Sequence, residues 1–228
     1  MEAISQPKPA PTGERDVVVL VHGLASSRLL LIPLARRLRK RGFDTRLWGY
    51  FSYVGSNRNF GNALARKIAR LAEEGTWPRI HLVVHSMGSI IARCALEQGL
   101  PDRLGRIVMI GPPNGGSHMA TRLRYIHPWC NPMLELMDRP DSFVNQLPPP
   151  PAEAEIGILA AGKDNVIDLP RTHLPGERDH RVVDSWHTGV LWRRDTADLA
   201  AAFLRSGSFS GGAAAPTRLA NPATAPAG

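Results

Sequence analysis

Ser86 stands in the run Leu82-Val83-Val84-His85-Ser86-Met87-Gly88, and His22-Gly23-Leu24 closes an earlier run, Val19-Leu20-Val21. A serine hydroxyl is a weak nucleophile until a neighbouring base takes its proton. A turn that lifts it from the end of a strand, beside a second turn offering backbone N–H groups, suits attack on an acyl carbonyl. The N–H groups of Leu24 and Met87 would hold the oxyanion that forms, each contributing about 3 kcal/mol to the transition state. The turn at Ser86 needs small residues two positions to either side. Gly88 meets that need, but Val84 stands where glycine is usual, so strand and helix are expected to lie slightly farther apart there.

The base is expected at His187, in Asp184-Ser185-Trp186-His187-Thr188-Gly189, between the last strand and the last helix. The chain has eight histidines, so placement matters more than presence. His81 reads as structural and His85 as a support for the serine turn; His118, His127, His173 and His180 read as surface or loop residues. No histidine pair shows metal-ligand spacing with supporting cysteines or carboxylates, so neither metal nor cofactor is expected. The acid that would hold the imidazole is Asp164, in Gly162-Lys163-Asp164-Asn165-Val166-Ile167. Asp168 and Asp184 are its rivals. A carboxylate in this role fixes the ring's tautomer and stabilises the imidazolium.

These side chains are far apart in the chain, so a scaffold must gather them. Apolar runs at Val17–Val21, 45–50 (weaker), 80–84, 106–110, 156–160 and 181–183 read as strands. They alternate with helical stripes: Leu31, Leu34, Ala35 and Leu38; then Leu64, Ile68 and Leu71; then 87–98 and 196–204. Such alternation specifies a parallel sheet with helices on both faces. Reactive groups then collect at the carboxyl ends of the strands, where His22, Ser86, Gly111, Asp164 and His187 all fall.

At 228 residues, 43% hydrophobic and 21% charged, the chain suits one domain spanning 15–205. Residues 1–14 and 206–228 read as disordered tails, the second being Gly, Ser, Ala, Pro and Thr with almost no apolar anchor. No apolar run reaches the ~18 residues of a membrane span, and no secretory signal is recognisable. Two cysteines, Cys94 and Cys130, give no disulfide framework; free thiols and a cytoplasmic location are expected. The net charge of +8 is mostly arginine. It reads as solvated helix faces, with weak peripheral attraction to anionic membrane as the sharper alternative. No nucleic-acid reader motif is present.

Val-His-Gly-Leu, Val-His-Ser-Met-Gly, Gly111-Pro112-Pro113-Asn114-Gly115-Gly116-Ser117, Asp164-Asn165-Val166 and Trp186-His187-Thr188-Gly189 together resemble small bacterial serine esterases and lipases of the α/β-hydrolase superfamily, over about 16–205. The resemblance implies a minimal α/β-hydrolase: about six mostly parallel strands, helices on both faces and a short lid insertion, about 118–151. It also implies Ser86 as nucleophile, Asp164 as acid, His187 as base, Leu24 and Met87 as oxyanion donors, and a small-molecule or lipid ester as substrate. The insertion and the loop 48–60 would wall the pocket, with Trp129, Met133 and Tyr53 as substrate contacts. An acyltransferase using the same residues, and a catalytically silent binding protein on the same fold, are the alternatives.

Overall fold

Val17–Val21 forms β1, five apolar residues that are all buried, as a strand enclosed by helices on either side requires. This computed structural model describes residues 14–100 and 102–210. After β1 come α1 (Ile32–Lys40), β2 (Asp44–Trp48), α2 (Asn57–Glu74), β3 (Ile80–His85), α3 (Met87–Leu96) and β4 (Leu104–Ile110). Three short helices follow, α4 (His118–Leu123), α5 (Asn131–Leu134) and α6 (Phe143–Gln146), then β5 (Ile156–Ala161), β6 (Asp179–Val183) and α7 (Arg194–Ser206). The strands lie in the order β2-β1-β3-β4-β5-β6, with every neighbouring pair parallel. The sheet thus has the six strands and two helical faces anticipated from the apolar runs. Among the described residues, no helix is long and apolar enough to cross a membrane.

Side chains alternate across a strand with a period of two, and the core divides accordingly. Val17, Val19, Val21, Leu82 and Val84 pack with α2 and α3, while Val18, Leu20, Val83 and Val108 pack with α1 and α7. Val84 is therefore accommodated as an ordinary core residue, fully buried in the same cluster as Met87 and Ile90. The first turn of α2 is capped by Ser56, whose Oγ accepts from the Asn59 N–H at 3.1 Å. In α3 all ten residues are buried.

Arg93 is the one charged residue within α3. Its guanidinium donates to the carbonyls of Asn114 (3.3 Å), Leu147 (3.1 Å) and Pro148 (3.4 Å). Both ends of the insertion between β4 and β5 are thereby fastened to the helix that begins at Ser86.

The strand expected at 45–50 ends at Trp48, and the helix expected over 87–98 ends at Leu96. A larger difference lies at the C-terminal end. Residues 206–210, expected to belong to a tail, pack on the domain. Phe209 is buried and lies against Phe203 with ring centroids 4.9 Å apart. Its N–H donates to Asp179 Oδ2 at 2.7 Å. One aromatic residue is enough to anchor a stretch whose other members are small. The remainder of that expected tail, 211–228, lies outside the described residues, as do residues 1–13 of the N-terminal one. Cys94 and Cys130 are free and buried, and burial pushes the Cys94 thiol up to about 12.

Candidate active site

Ser86 joins β3 to α3 with φ 53° and ψ −126°, a conformation that costs a side-chain-bearing residue about 1–3 kcal/mol. The surroundings hold it there. Its N–H donates to the Ile110 carbonyl on β4 at 2.9 Å. Gly23 and Gly88 press in on either side: a Cβ at Gly23 would stand 2.9 Å from Ser86 Cβ, and one at Gly88 would stand 2.9 Å from the carbonyls of Val21 and His22. The small residue needed N-terminal to the serine is thus supplied from the neighbouring strand's turn, with Val84 left in the core.

His187 Nε2 lies 2.9 Å from Ser86 Oγ, and His187 Nδ1 lies 2.7 Å from Asp164 Oδ2. With Nδ1–H donating to the carboxylate, Nε2 keeps its lone pair and accepts the serine proton. Asp164 is itself fixed, because its Oδ1 accepts from the N–H groups of Val166 (2.8 Å) and Ile167 (3.1 Å). The two rivals lie elsewhere: Asp168 pairs with Arg171 at 3.7 Å, and Asp184 pairs with Lys163 at 2.8 Å on the surface. This arrangement can move a proton from a strained serine onto an imidazole braced by a carboxylate, which is the requirement for a serine nucleophile.

The turn that faces Ser86 is braced from β2's end. His22 Nδ1–H donates to the Gly23 carbonyl at 2.8 Å. Tyr50 stacks on the His22 ring at 4.3 Å, and its hydroxyl donates to the His22 carbonyl at 2.8 Å. Leu24 lines the same cavity as Ser86 and His187. Met87 opens α3, where first-turn N–H groups have no acceptor within the helix. Tyr50 lies beyond the end of β2 at Trp48; its contact with His22 spans 28 positions, and nothing local in the sequence signals it.

His85 supports the site from beneath. It is buried, and its Nε2–H donates to the His187 carbonyl at 3.1 Å. Burial lowers its pKa to about 3, with the nearby His187 adding to the effect. Folded protein therefore keeps this ring neutral where an unfolded chain, with an ordinary value of 6.5, takes up a proton. The contribution is fully present above pH 6.5 and is lost as pH falls towards 3, at roughly 1.4 kcal/mol per pH unit. His22 and His81, also lowered by burial, add in the same direction. Urea denaturation between pH 7 and 4.5 is expected to show falling stability, with a shallower slope in His85→Gln. Equal slopes would contradict this account.

A cavity of about 180 Å³ opens above Ser86 and His187. Met119, Leu123, Met133 and Leu136 of the insertion form one wall, and Val166 and Ile167 from the Asp164 loop form the other. Met133 is where it was expected. Trp129 and Tyr53 are not among the lining residues: Trp129 is 62% exposed and packs edge-on against His127, and Tyr53 lies against Phe51. The insertion is tied to the start of α2 by Glu135, whose carboxylate accepts from the Asn57 N–H (2.7 Å), Asn57 Nδ2 (2.8 Å) and Asn131 Nδ2 (2.9 Å). An open groove of about 390 Å³ beside α2, lined by residues such as Asn62, Arg66 and Gln98, shares no residue with this cavity.

A family described as alpha/beta hydrolase fold matches residues 16–143. No curated protein resembles the chain closely enough in sequence to count as a match. Among solved structures, the mature form of a Bacillus licheniformis lipase, BlEst2, is similar with a TM-score of 0.67 at 18% identity, covering 91% of this chain and 96% of that one. Aspergillus fumigatus lipase B gives 0.69 at 14% identity over 90% and 57%. The phospholipase PlaB of Legionella pneumophila gives 0.68 at 15% identity over 86% and 61%. At such identities these likenesses speak for the fold. The chain spans about six-tenths of the length of the latter two.

Proposed function

The chain belongs to the α/β-hydrolase fold family, and from that premise we propose that it is a serine hydrolase of carboxylic esters. The observation that carries the reading is the hydrogen-bonded series Ser86–His187–Asp164, at 2.9 and 2.7 Å, on the floor of an apolar cavity. His187 Nε2 takes the Ser86 proton as Oγ attacks the acyl carbonyl. The oxyanion is held by the N–H groups of Leu24 and Met87. His187 then gives its proton to the departing alkoxide, leaving an acyl group on Ser86. Water, deprotonated by His187, attacks that acyl group, and collapse of the second tetrahedral intermediate returns the proton to Ser86 and frees the acid. Asp164 keeps the imidazole oriented throughout.

The cavity argues for the acyl side of the substrate. Its lining has no Asp, Glu, Lys or Arg, so it suits an uncharged chain. At about 180 Å³ it is small, so it suits a short or medium chain better than a long one. Across p-nitrophenyl esters from acetate to palmitate, kcat/KM is expected to be highest among the short and medium chains and to fall for long ones; a maximum at palmitate would refute the assignment of this cavity. A fluorophosphonate probe should label the folded protein and fail to label Ser86→Ala. Folded wild-type protein that stays unlabelled and hydrolyses none of the esters would make the fold a binding module instead.

Gly111 supports the same reading. It adopts φ +54°, and a Cβ there would lie 3.2 Å from His187 Nδ1 and 3.7 Å from Asp164 Oδ2. Gly111→Ala should press on the imidazole and strain the backbone at φ +54°, lowering kcat by less than the ~10²-fold that a 1 Å misplacement costs. Unchanged kcat in a folded variant would remove Gly111 from the site's design.

A further inference from the structure

His173, Glu177 and His180 come together on the connection that follows the Asp164 loop. One ring nitrogen of each histidine and one carboxylate oxygen lie within 4.8 Å of one another. We propose that these three side chains form a divalent transition-metal site, best matched to Zn²⁺, that clips the connection between β5 and β6. Nothing in the ester-hydrolase reading uses these residues, and the proposal stands or falls independently of it.

Two imidazoles and one carboxylate make a ligand set that Zn²⁺ favours, with a fourth position left for water. Bonds of about 2.0–2.2 Å in tetrahedral geometry would place the donors about 3.5 Å apart, so the widest separation, at most 4.8 Å, closes by about 1.3 Å or less, while His173 Nδ1 and Glu177 Oε1, now 2.7 Å apart, move slightly away from each other. Ligands in metal sites are commonly oriented by outer hydrogen bonds, and both inner members of this cluster have them. His180 Nε2 lies 2.9 Å from Thr172 Oγ1, whose own proton goes to the Leu169 carbonyl at 2.7 Å. The hydroxyl therefore accepts from the His180 ring. Glu177 Oε2 accepts from the Leu174 N–H at 2.8 Å, which leaves Oε1 directed at His173 Nδ1, 2.7 Å away. Thr172 and Leu174 are buried, so these supports are fixed.

One movement is required. The two rings stack at 4.0 Å with planes 18° apart, and nearly parallel rings cannot both aim an in-plane lone pair at one ion. His173 is the exposed member of the cluster and can swing out of the stack, exchanging its hydrogen bond to Glu177 for a metal bond. His180, anchored on β6, stays. Loading then joins the chain just after the Leu169–Thr172 turn to an edge strand of the sheet. That stiffens the segment leading away from Asp164. A metal bound by the folded state alone raises stability by mass action.

The test is calorimetric titration of Zn²⁺ into metal-free full-length protein at pH 7.5, paired with thermal melts. One Zn²⁺ per chain and a higher melting temperature are expected. His173→Gln and Glu177→Gln should abolish saturable binding, and Thr172→Val should weaken it about ten- to a hundredfold. His173 is exposed, so its substitution leaves a folded chain even if variants at His180 do not. Substitution of Co²⁺ should give visible bands of a tetrahedral site, lost in His173→Gln. His187→Ala must still bind. Absence of saturable binding, binding that survives in His173→Gln, or binding that disappears in His187→Ala would each overturn the assignment.

Discussion

Ser86→Ala is expected to lower turnover of a p-nitrophenyl ester by at least about 10⁴-fold, the scale on which members of such a unit act together, and to leave folding stability nearly unchanged. The two halves of that expectation have different causes. Activity falls because Oγ is the only atom removed, and it is the one 2.9 Å from the imidazole. Stability holds because alanine keeps the Cβ and with it the strained backbone at φ 53°. Ser86→Gly separates the two. It should be as inactive and yet more stable, since glycine adopts this conformation without the ~1–3 kcal/mol penalty, less what its flexibility costs in the unfolded chain. Steady-state kinetics and chemical denaturation on the same three proteins read both effects. A glycine variant less stable than the alanine one would mean that the turn is not strained.

Asp164→Asn carries the second large effect, about 10⁴-fold in kcat. An amide can offer its NH₂ where the carboxylate accepted, which favours the tautomer with the proton on Nε2 and leaves no lone pair for Ser86. The anchor bonds from the Val166 and Ile167 N–H groups go to the other oxygen, so the loop should keep its shape. Asp168→Asn and Asp184→Asn, which alter surface pairs with Arg171 and Lys163, should leave kcat within a few-fold. If Asp168→Asn were the crippling change, the acid would have to be reassigned.

Much of the scaffold was legible because its signals are local. A β-branched run such as Val17–Val21 means a buried strand wherever it lies, and a strand that ends in a serine and runs directly into a helix already describes the turn at Ser86. That His187 and a carboxylate would meet near Ser86 followed from strand order, since parallel strands deliver their ends to one rim; the choice of Asp164 over Asp168 and Asp184 needed the tertiary contact at 2.7 Å. The pocket was less legible. Helices α4, α5 and α6 have only four to six residues, too few for a period of 3.6 to reveal an inner face. Met119, in α4, therefore gave no signal of its inward position, while Trp129 lies in the turn before α5, where apolar character alone does not say which way a side chain faces. Val166 and Ile167 passed as part of the acid's loop, although both also wall the cavity. The partnership of Tyr50 with His22, the anchoring by Phe209 and the gathering of His173 with His180 depend on tertiary neighbours. For the last pair a signal did exist in the spacing His-x₃-Glu-x₂-His, which only a bend between residues 173 and 180 converts into proximity.

The distance along the polymer between Ser86 and His187, 101 positions, has a meaning during synthesis. At a translation speed of about 5–20 residues per second, several seconds separate the emergence of the hydroxyl from that of the ring that must activate it. In the finished sheet β4 lies beside β3 and β5 beside β4, so a growing chain can assemble its middle before residue 187 exists. An arrested or prematurely ended chain lacking residue 187 would thus hold the serine turn without the imidazole that lies 2.9 Å from Ser86 Oγ in the finished fold.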